Sequence, residues 1–194
     1  MRGGPLTISL IWKILLYTWT ASEIYIAIAT RTRRSGGKVR DRGSMLILWL
    51  TIAGSITAAE FARYLTPFPM FPGVHWLRLV ALPLMVAGLV VRGVAIFSLG
   101  KAFSANVAIR DTQSLYRSGL YSVARHPSYL GMLIIFLAIA VADSNWLSAA
   151  IVLILPTAAL LYRIHVEETA LHDAFGAQYA DYCRTTKCLI PGIY

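Results

Sequence analysis

Apolar residues run through this chain in long blocks, with little of the alternation that marks a half-buried strand. Five blocks reach or approach the ~20 residues that a bilayer-crossing helix needs: Leu6–Thr30, Ser44–Leu65, Trp76–Leu99, Ser128–Ala142 and Trp146–Tyr162. The last two are short, and only Asp143, Ser144 and Asn145 separate them. That spacing predicts a tight helical hairpin whose second helix continues beyond the membrane. Trp49, Trp76, Trp146 and several tyrosines near block ends suit the interfacial belts of a bilayer. The first block follows a single charge, Arg2, and lacks a convincing small-residue cleavage site, so it reads as a retained span.

Composition agrees. The 194 residues are 57% hydrophobic and 14% charged, with mean hydropathy +0.63, whereas soluble domains are about 45–50% apolar. The expected fold is all-α: a polytopic membrane protein with five transmembrane helices. It divides into a three-span region, 1–99, and a region 100–194 that holds the candidate chemistry. The second region comprises a polar segment 100–127, the hairpin 128–162 and a polar C-terminal segment 163–194.

The net charge of +9 flanks the apolar blocks and points to topology rather than to nucleic acid. Six Lys or Arg fall in 31–43, four in 100–127 and three from Arg163 onward, thirteen in all against three on the opposite side. The excess predicts an N-terminus outside and a C-terminus in the cytoplasm, as an odd number of spans requires. Loop 31–43 is most simply a stop-transfer and anionic-lipid contact. Cys183 and Cys188 have neither a zinc pattern nor a disulfide framework around them and read as reduced and incidental.

Three polar clusters fall on the cytoplasmic side. In ARHPSYLG, residues 124–131, Pro127 suits a first helical turn. His126 and Arg125 then flank a helix N-terminus whose free N–H groups and dipole attract anions. Tyr129 follows on the same side, and Gly131 removes bulk where something approaches the backbone. As a lone feature, Arg125 and His126 are equally interfacial anchors. In YRIHVEETALHDAFGAQYADY, 162–182, Arg163 and Glu167 share a helical face, and Glu168 lies about 100° further round. Adjacent carboxylates at a membrane surface require a compensating cation, unless they form a solvated face. Between spans three and four, NVAIRDTQSLYRSGLY brings Gln113, Tyr116 and Tyr121 to a pocket wall or an ordinary loop.

A stripe of His165, Glu168 and His172 has ligand types that suit a metal but no sharper signature, so no metal is expected. G-x-G-x-x-G, Walker A and G-x-S-x-G patterns are absent, so a nucleotide-like cofactor would use a helical, membrane-embedded site.

Taken in order, SGLYSVARHPSYLG, then the pair Glu167-Glu168, then LHDAFGAQYADY resemble the isoprenylcysteine carboxyl methyltransferase group, within membrane methyltransferases that include phospholipid N-methyltransferases. The resemblance covers residues 103–191 and extends upstream to FSANV. It implies an S-adenosylmethionine-dependent enzyme. The cofactor would lie among Gln113, Ser114, Leu115, Tyr116, Tyr121, His126, Pro127, Ser128, Tyr129 and Glu167. Arg163 would face the substrate carboxylate, with Glu168 nearby as the second catalytic candidate. The partners implied are membrane lipids and a lipid-like substrate, either a prenylated cysteine or a phospholipid amine; the oligomeric state is left open. From another class, a non-enzymatic membrane binding protein or a nicotinamide-dependent membrane reductase would differ in the cofactor bound.

Overall fold

The computed structural model describes residues 4–29, 38–39, 43–65, 69–70, 76–100, 108–109 and 114–193. The chain is helical: α1 (Gly4–Ala29), α2 (Ser44–Leu65), α3 (Leu77–Leu99), α4 (Pro127–Asp143), α5 (Trp146–Phe175) and α6 (Ala177–Thr185). A short 3₁₀ turn, Gly119–Ser122, precedes α4. One two-residue antiparallel ladder, Lys38–Val39 with Ala108–Ile109, joins the first polar loop to the segment between α3 and α4. That small exception aside, the all-α expectation holds among the described residues. Among the described residues three helices, α2, α3 and α5, are long and apolar enough to cross a membrane, and α4 is a shorter apolar helix. The protein is an integral membrane protein.

Each expected block became a helix within a residue or two, except that α5 runs on to Phe175. The hairpin turn explains why α4 and α5 meet so tightly. Ser144 adopts the left-handed conformation, φ 56°, and ends α4. The Asn145 side chain then accepts from the backbone N–H groups of Leu147 (3.0 Å) and Ser148 (3.1 Å), capping α5.

Polar contacts fix the order of helices in the bundle. Ser148 Oγ donates to the carbonyl of Ala59 (2.5 Å) at one end of the α2–α5 pair. Arg163 Nη1 donates to Ser44 Oγ (2.7 Å) at the other. On α3, Arg92 pairs with Glu23 of α1 and reaches Ser128 of α4. Glu23, Ser44, Arg92, Ser128 and Arg163 therefore share one end of the bundle.

The core between the helices is filled by Trp19, Leu48, Ile52, Met85, Phe136 and Leu160 with their neighbours. Helices α3 and α4 come closest. A Cβ on Gly131 would lie 2.7 Å from the Arg92 backbone nitrogen and 2.9 Å from the Gly88 carbonyl oxygen. The bulk missing at Gly131 thus admits a neighbouring helix, a small-residue contact of the kind that lets membrane helices approach. Gly131→Ala is expected to cost about 1–3 kcal/mol, because neither backbone can yield. Thermal unfolding of the purified variant checks this, and an unchanged midpoint would show the two backbones to be further apart.

Candidate active site

At that same end of the bundle, the N-terminus of α4 meets the middle of α5. Pro127 occupies the first helical turn of α4 and is buried. His126 caps it, and its two ring nitrogens face two carboxylates. Nε2 lies 3.0 Å from Glu168 Oε1, and Nδ1 lies 3.5 Å from Glu167 Oε2. Three residues on, Tyr129 stacks near the His126 ring, centroids 5.7 Å apart, and donates its hydroxyl to Glu167 Oε1 (2.5 Å).

The pair Glu167-Glu168 splits between two sets of partners, as a turn of about 100° between consecutive helical residues dictates. Glu167 faces Arg163, one helical turn earlier, whose Nε donates to Oε1 at 3.2 Å. The same Nε lies 3.3 Å from the Tyr129 hydroxyl oxygen. Arg163 is 1% exposed, one of the largest fully buried side chains. Glu168 faces Arg125, which donates to both carboxylate oxygens at 2.9 and 3.0 Å in a bidentate fork. Tyr179 of α6 donates to Glu168 Oε1 as well, at 2.9 Å.

The chain closes this arrangement with its own C-terminal stretch. Arg125 N–H donates to the Lys187 carbonyl (2.8 Å) and His126 N–H to the Cys188 carbonyl (3.0 Å). Arg125 Nη1 also donates to the Thr186 carbonyl (2.6 Å). Cys188 Sγ ends up 3.9 Å from Glu168 Oε1. The two cysteines are free, but Cys188 is part of the site rather than incidental to it. Burial, with Glu168 beside it, pushes the Cys188 thiol up to about 11, so it serves as a protonated neutral group.

The surroundings of His126 favour its charged form. Burial opposes the imidazolium, but hydrogen bonds to Glu167 and Glu168 outweigh it and raise the pKa. The geometry agrees: Nε2 lies 3.0 Å from Glu168 and Nδ1 3.5 Å from Glu167, so each ring nitrogen has a carboxylate within reach. Arg125, Tyr129 and Cys188 complete its charged and titratable surroundings. A raised folded pKa means that His126 contributes stability fully below its ordinary value of about 6.5 and loses it as pH rises through the folded value. The thermal midpoint is therefore expected to fall as pH rises above about 6.5, and His126→Gln should lack that limb. A midpoint that instead rose through this range in wild type alone would overturn the imidazolium assignment.

The remaining sequence candidates form a separate flank. Ser114 is exposed, while Leu115 and Tyr116 are half-buried as the chain enters the 3₁₀ turn. Tyr116 meets Tyr121 edge-on at 5.5 Å, and the buried Tyr121 hydroxyl donates to the Ala95 carbonyl at 3.3 Å. Ser128 is buried and turned towards Arg92. Gln113 lies outside the described residues. Of the metal-type stripe, His165 is exposed and His172 packs edge-on against Tyr179 at 4.8 Å. Ligand-type atoms of His126, Glu168 and Cys188 do fall within 4.8 Å of one another. With the Arg125 guanidinium on the same carboxylate, that corner already has its cation.

Sequence reasoning left Arg125, Tyr179, Cys188 and Ser44 outside the candidate set. Arg125 and Tyr179 were within reach, since both belong to the quoted motifs. Three cations, Arg125, His126 and Arg163, thus surround two carboxylates, Glu167 and Glu168. With His126 protonated the sum is one positive charge, beside a helix end whose N–H groups add to it. Positive charge beside a helix N-terminus attracts anions.

The chain as a whole is similar to known proteins. Residues 80–173 match the family model for the isoprenylcysteine carboxyl methyltransferase (ICMT) family. Protein-S-isoprenylcysteine O-methyltransferase B of Arabidopsis thaliana is 28% identical over 172 residues, 88% of this chain and 86% of that protein. Protein-S-isoprenylcysteine O-methyltransferase A of the same plant is 31% identical over 134 residues, 66% and 68% of the two chains. Among solved structures, the eukaryotic intramembrane Ras methyltransferase ICMT, without a monobody, matches with TM-score 0.62 and 27% identity. That match covers 75% of this chain and 52% of the other, so the chain spans about half the length of that solved relative.

Proposed function

Because the chain belongs to the isoprenylcysteine carboxyl methyltransferase family, we propose that it methylates the C-terminal carboxylate of an isoprenylated cysteine, using S-adenosylmethionine. One observation carries the reading. The ordered motif residues Arg125, His126, Tyr129, Arg163, Glu167 and Glu168 converge in one largely buried cluster, in which three basic side chains face two carboxylates.

The site's composition fits the methyl donor. His126 and the first turn of α4 suit a carboxylate, Tyr116, Tyr121 and Tyr129 offer ring faces, and Glu167 suits a ribose hydroxyl or an amine. Ser114, Leu115, Pro127 and Ser128 would complete the wall around it, with Gln113 as a further contact. When bound, S-adenosylmethionine supplies an electrophilic methyl group on a sulfonium.

Arg163 is the residue to hold the acceptor, because a planar guanidinium meets a carboxylate with directed donors. A carboxylate acceptor is already ionised near neutral pH, so no side chain has to remove a proton. What the residues provide is alignment and exclusion of water. Glu168 anchors Arg125, His126 and Tyr179 around the reacting region.

An amine acceptor, as on a phospholipid headgroup, would need a base instead. Glu167 and Glu168 are the available carboxylates, and both are held by cations, which weakens them as proton acceptors. The geometry therefore favours the carboxylate.

Five spans, with the N-terminus outside and the site facing the cytoplasm, accord with the helix ends that gather on one side. Helix α4 has 17 residues, about 25 Å against a hydrocarbon core of about 30 Å, so the α4–α5 hairpin lies shallow. Helix α5, with 30 residues or about 45 Å, carries Glu167 and Glu168 past the bilayer into water-accessible territory.

The test is transfer of a labelled methyl group from S-adenosylmethionine to a farnesylcysteine analogue by purified protein. Base-labile product is expected. Cofactor binding with base-stable product on amine lipids would replace the acceptor. Failure of folded protein to bind S-adenosylmethionine would sink the assignment.

A further inference from the structure

Arg92 and Glu23 touch none of the groups in the charged cluster, yet both are buried, 7% and 1% exposed. Ionisable residues inside membrane bundles are expensive, and replacing a buried ion pair by apolar side chains of similar volume is often neutral or stabilising. Stability alone does not explain such a pair.

Its geometry suggests a different role. The guanidinium uses Nε and Nη2 on the two Glu23 oxygens, a bidentate grip on α1. Nη1 is thereby aimed across α3 at the first turn of α4. There it donates to Ser128 Oγ at 2.8 Å and to the Ser128 carbonyl at 3.3 Å. Ser128 lies between His126 and Tyr129 in the chain, and those two side chains make the contacts to Glu168 and Glu167. The close approach at Gly131, against the Arg92 backbone, brings the two helices within that reach. Because consecutive helical residues differ by about 100°, a slip of one residue in this turn would carry both side chains away from their carboxylates.

We propose that the Glu23–Arg92 pair is a positioning device for the site. It fixes the first turn of α4 against α1 and α3, and so sets where His126 and Tyr129 meet Glu167 and Glu168. The inference rests on the methyltransferase reading above and adds two residues, remote from the reacting atoms, on which turnover depends.

The double variant Glu23→Leu with Arg92→Met separates positioning from packing. It removes both charges at similar volume, so the thermal midpoint should stay near wild type while the donor to Ser128 is lost. In the purified full-length protein, kcat/KM for methyl transfer is expected to fall roughly ten- to a hundredfold, the effect of losing a charge-assisted hydrogen bond. Arg92→Lys, which keeps the charge but not the fork, should recover only part of this. A stable double variant with wild-type kcat/KM would overturn the proposal. Ser128→Ala leaves the pair intact and decides the matter if the double variant fails to fold: a loss of about threefold or more in kcat/KM at unchanged S-adenosylmethionine affinity is expected, and no loss, or a loss confined to cofactor affinity, overturns it. Amide hydrogen exchange over 126–131 gives the same decision without turnover. Faster exchange at an unchanged midpoint is expected in the double variant, and wild-type exchange refutes positioning. Wild-type protein inactive towards every acceptor would count against the methyltransferase reading, and the exchange result would still judge the device.

Discussion

Arg163→Gln is expected to lower methyl transfer by roughly three orders of magnitude, the largest single effect in the molecule. The side chain is fully buried, and its donors reach α2 at Ser44, α4 at Tyr129 and its own helix at Glu167. Glutamine keeps some of the length and none of the charge, so Glu167 would lose a cation and the surplus positive charge would vanish. Arg163→Lys restores the charge but gathers its donors on one nitrogen, which cannot span the positions that Nε and Nη1 reach separately. We expect it to recover no more than about a tenth of wild-type kcat/KM. Steady-state kinetics with S-adenosylmethionine and a farnesylcysteine analogue provide the check. Arg163→Gln within about tenfold of wild type would remove Arg163 from the reacting region.

Glu168→Gln acts mainly on stability. One carboxylate collects Arg125 twice, His126 and Tyr179. The amide offers one acceptor oxygen and turns a donor towards cations, leaving the half-buried Arg125 and the buried His126 with less compensation. Breaking a buried pair in this way costs about 3–5 kcal/mol. At about 2–4 °C per kcal/mol for a chain of this length, the thermal midpoint should fall by roughly 6–20 °C. Its loss of activity should be accompanied by this loss of stability, measured on the same preparation. A midpoint within about 2 °C of wild type would mean that the cluster does not depend on Glu168 for charge balance.

Much of this molecule is written in short-range sequence pattern. Hydropathy blocks located the helices, Asp143–Asn145 marked the hairpin, and the spacing of four between Arg163 and Glu167 placed them in contact. The turn from Glu167 to Glu168 accounted for two sets of partners, and the compensating cations that the carboxylates required are present. What the pattern concealed is which helix neighbours which. In a bilayer the lipid-facing and helix-facing sides are almost equally apolar, so hydropathy does not mark the interface. Glu23 and Arg92, 69 residues apart, became partners for that reason without any local signal. Gly131 was legible as a close approach, but the approaching group is the Arg92 backbone of α3. Cys188 and Thr186 enter the site only because the chain folds back after α6, a tertiary event with no periodic trace.

That return of the chain sets an order of events during synthesis. The backbone N–H groups of Arg125 and His126, at the mouth of α4, find their acceptors on Lys187 and Cys188. The Arg125 side chain likewise waits for Thr186, 61 residues later. At a translation rate of about 5–20 residues per second, those acceptors leave the ribosome some 3–12 s after their donors. The apolar hairpin can therefore enter the bilayer well before the charged cluster exists, with Arg125 and His126 held by water in the meantime. On that order the anchored hairpin can precede the site, which is complete only once residues 186–188 have reached the mouth of α4.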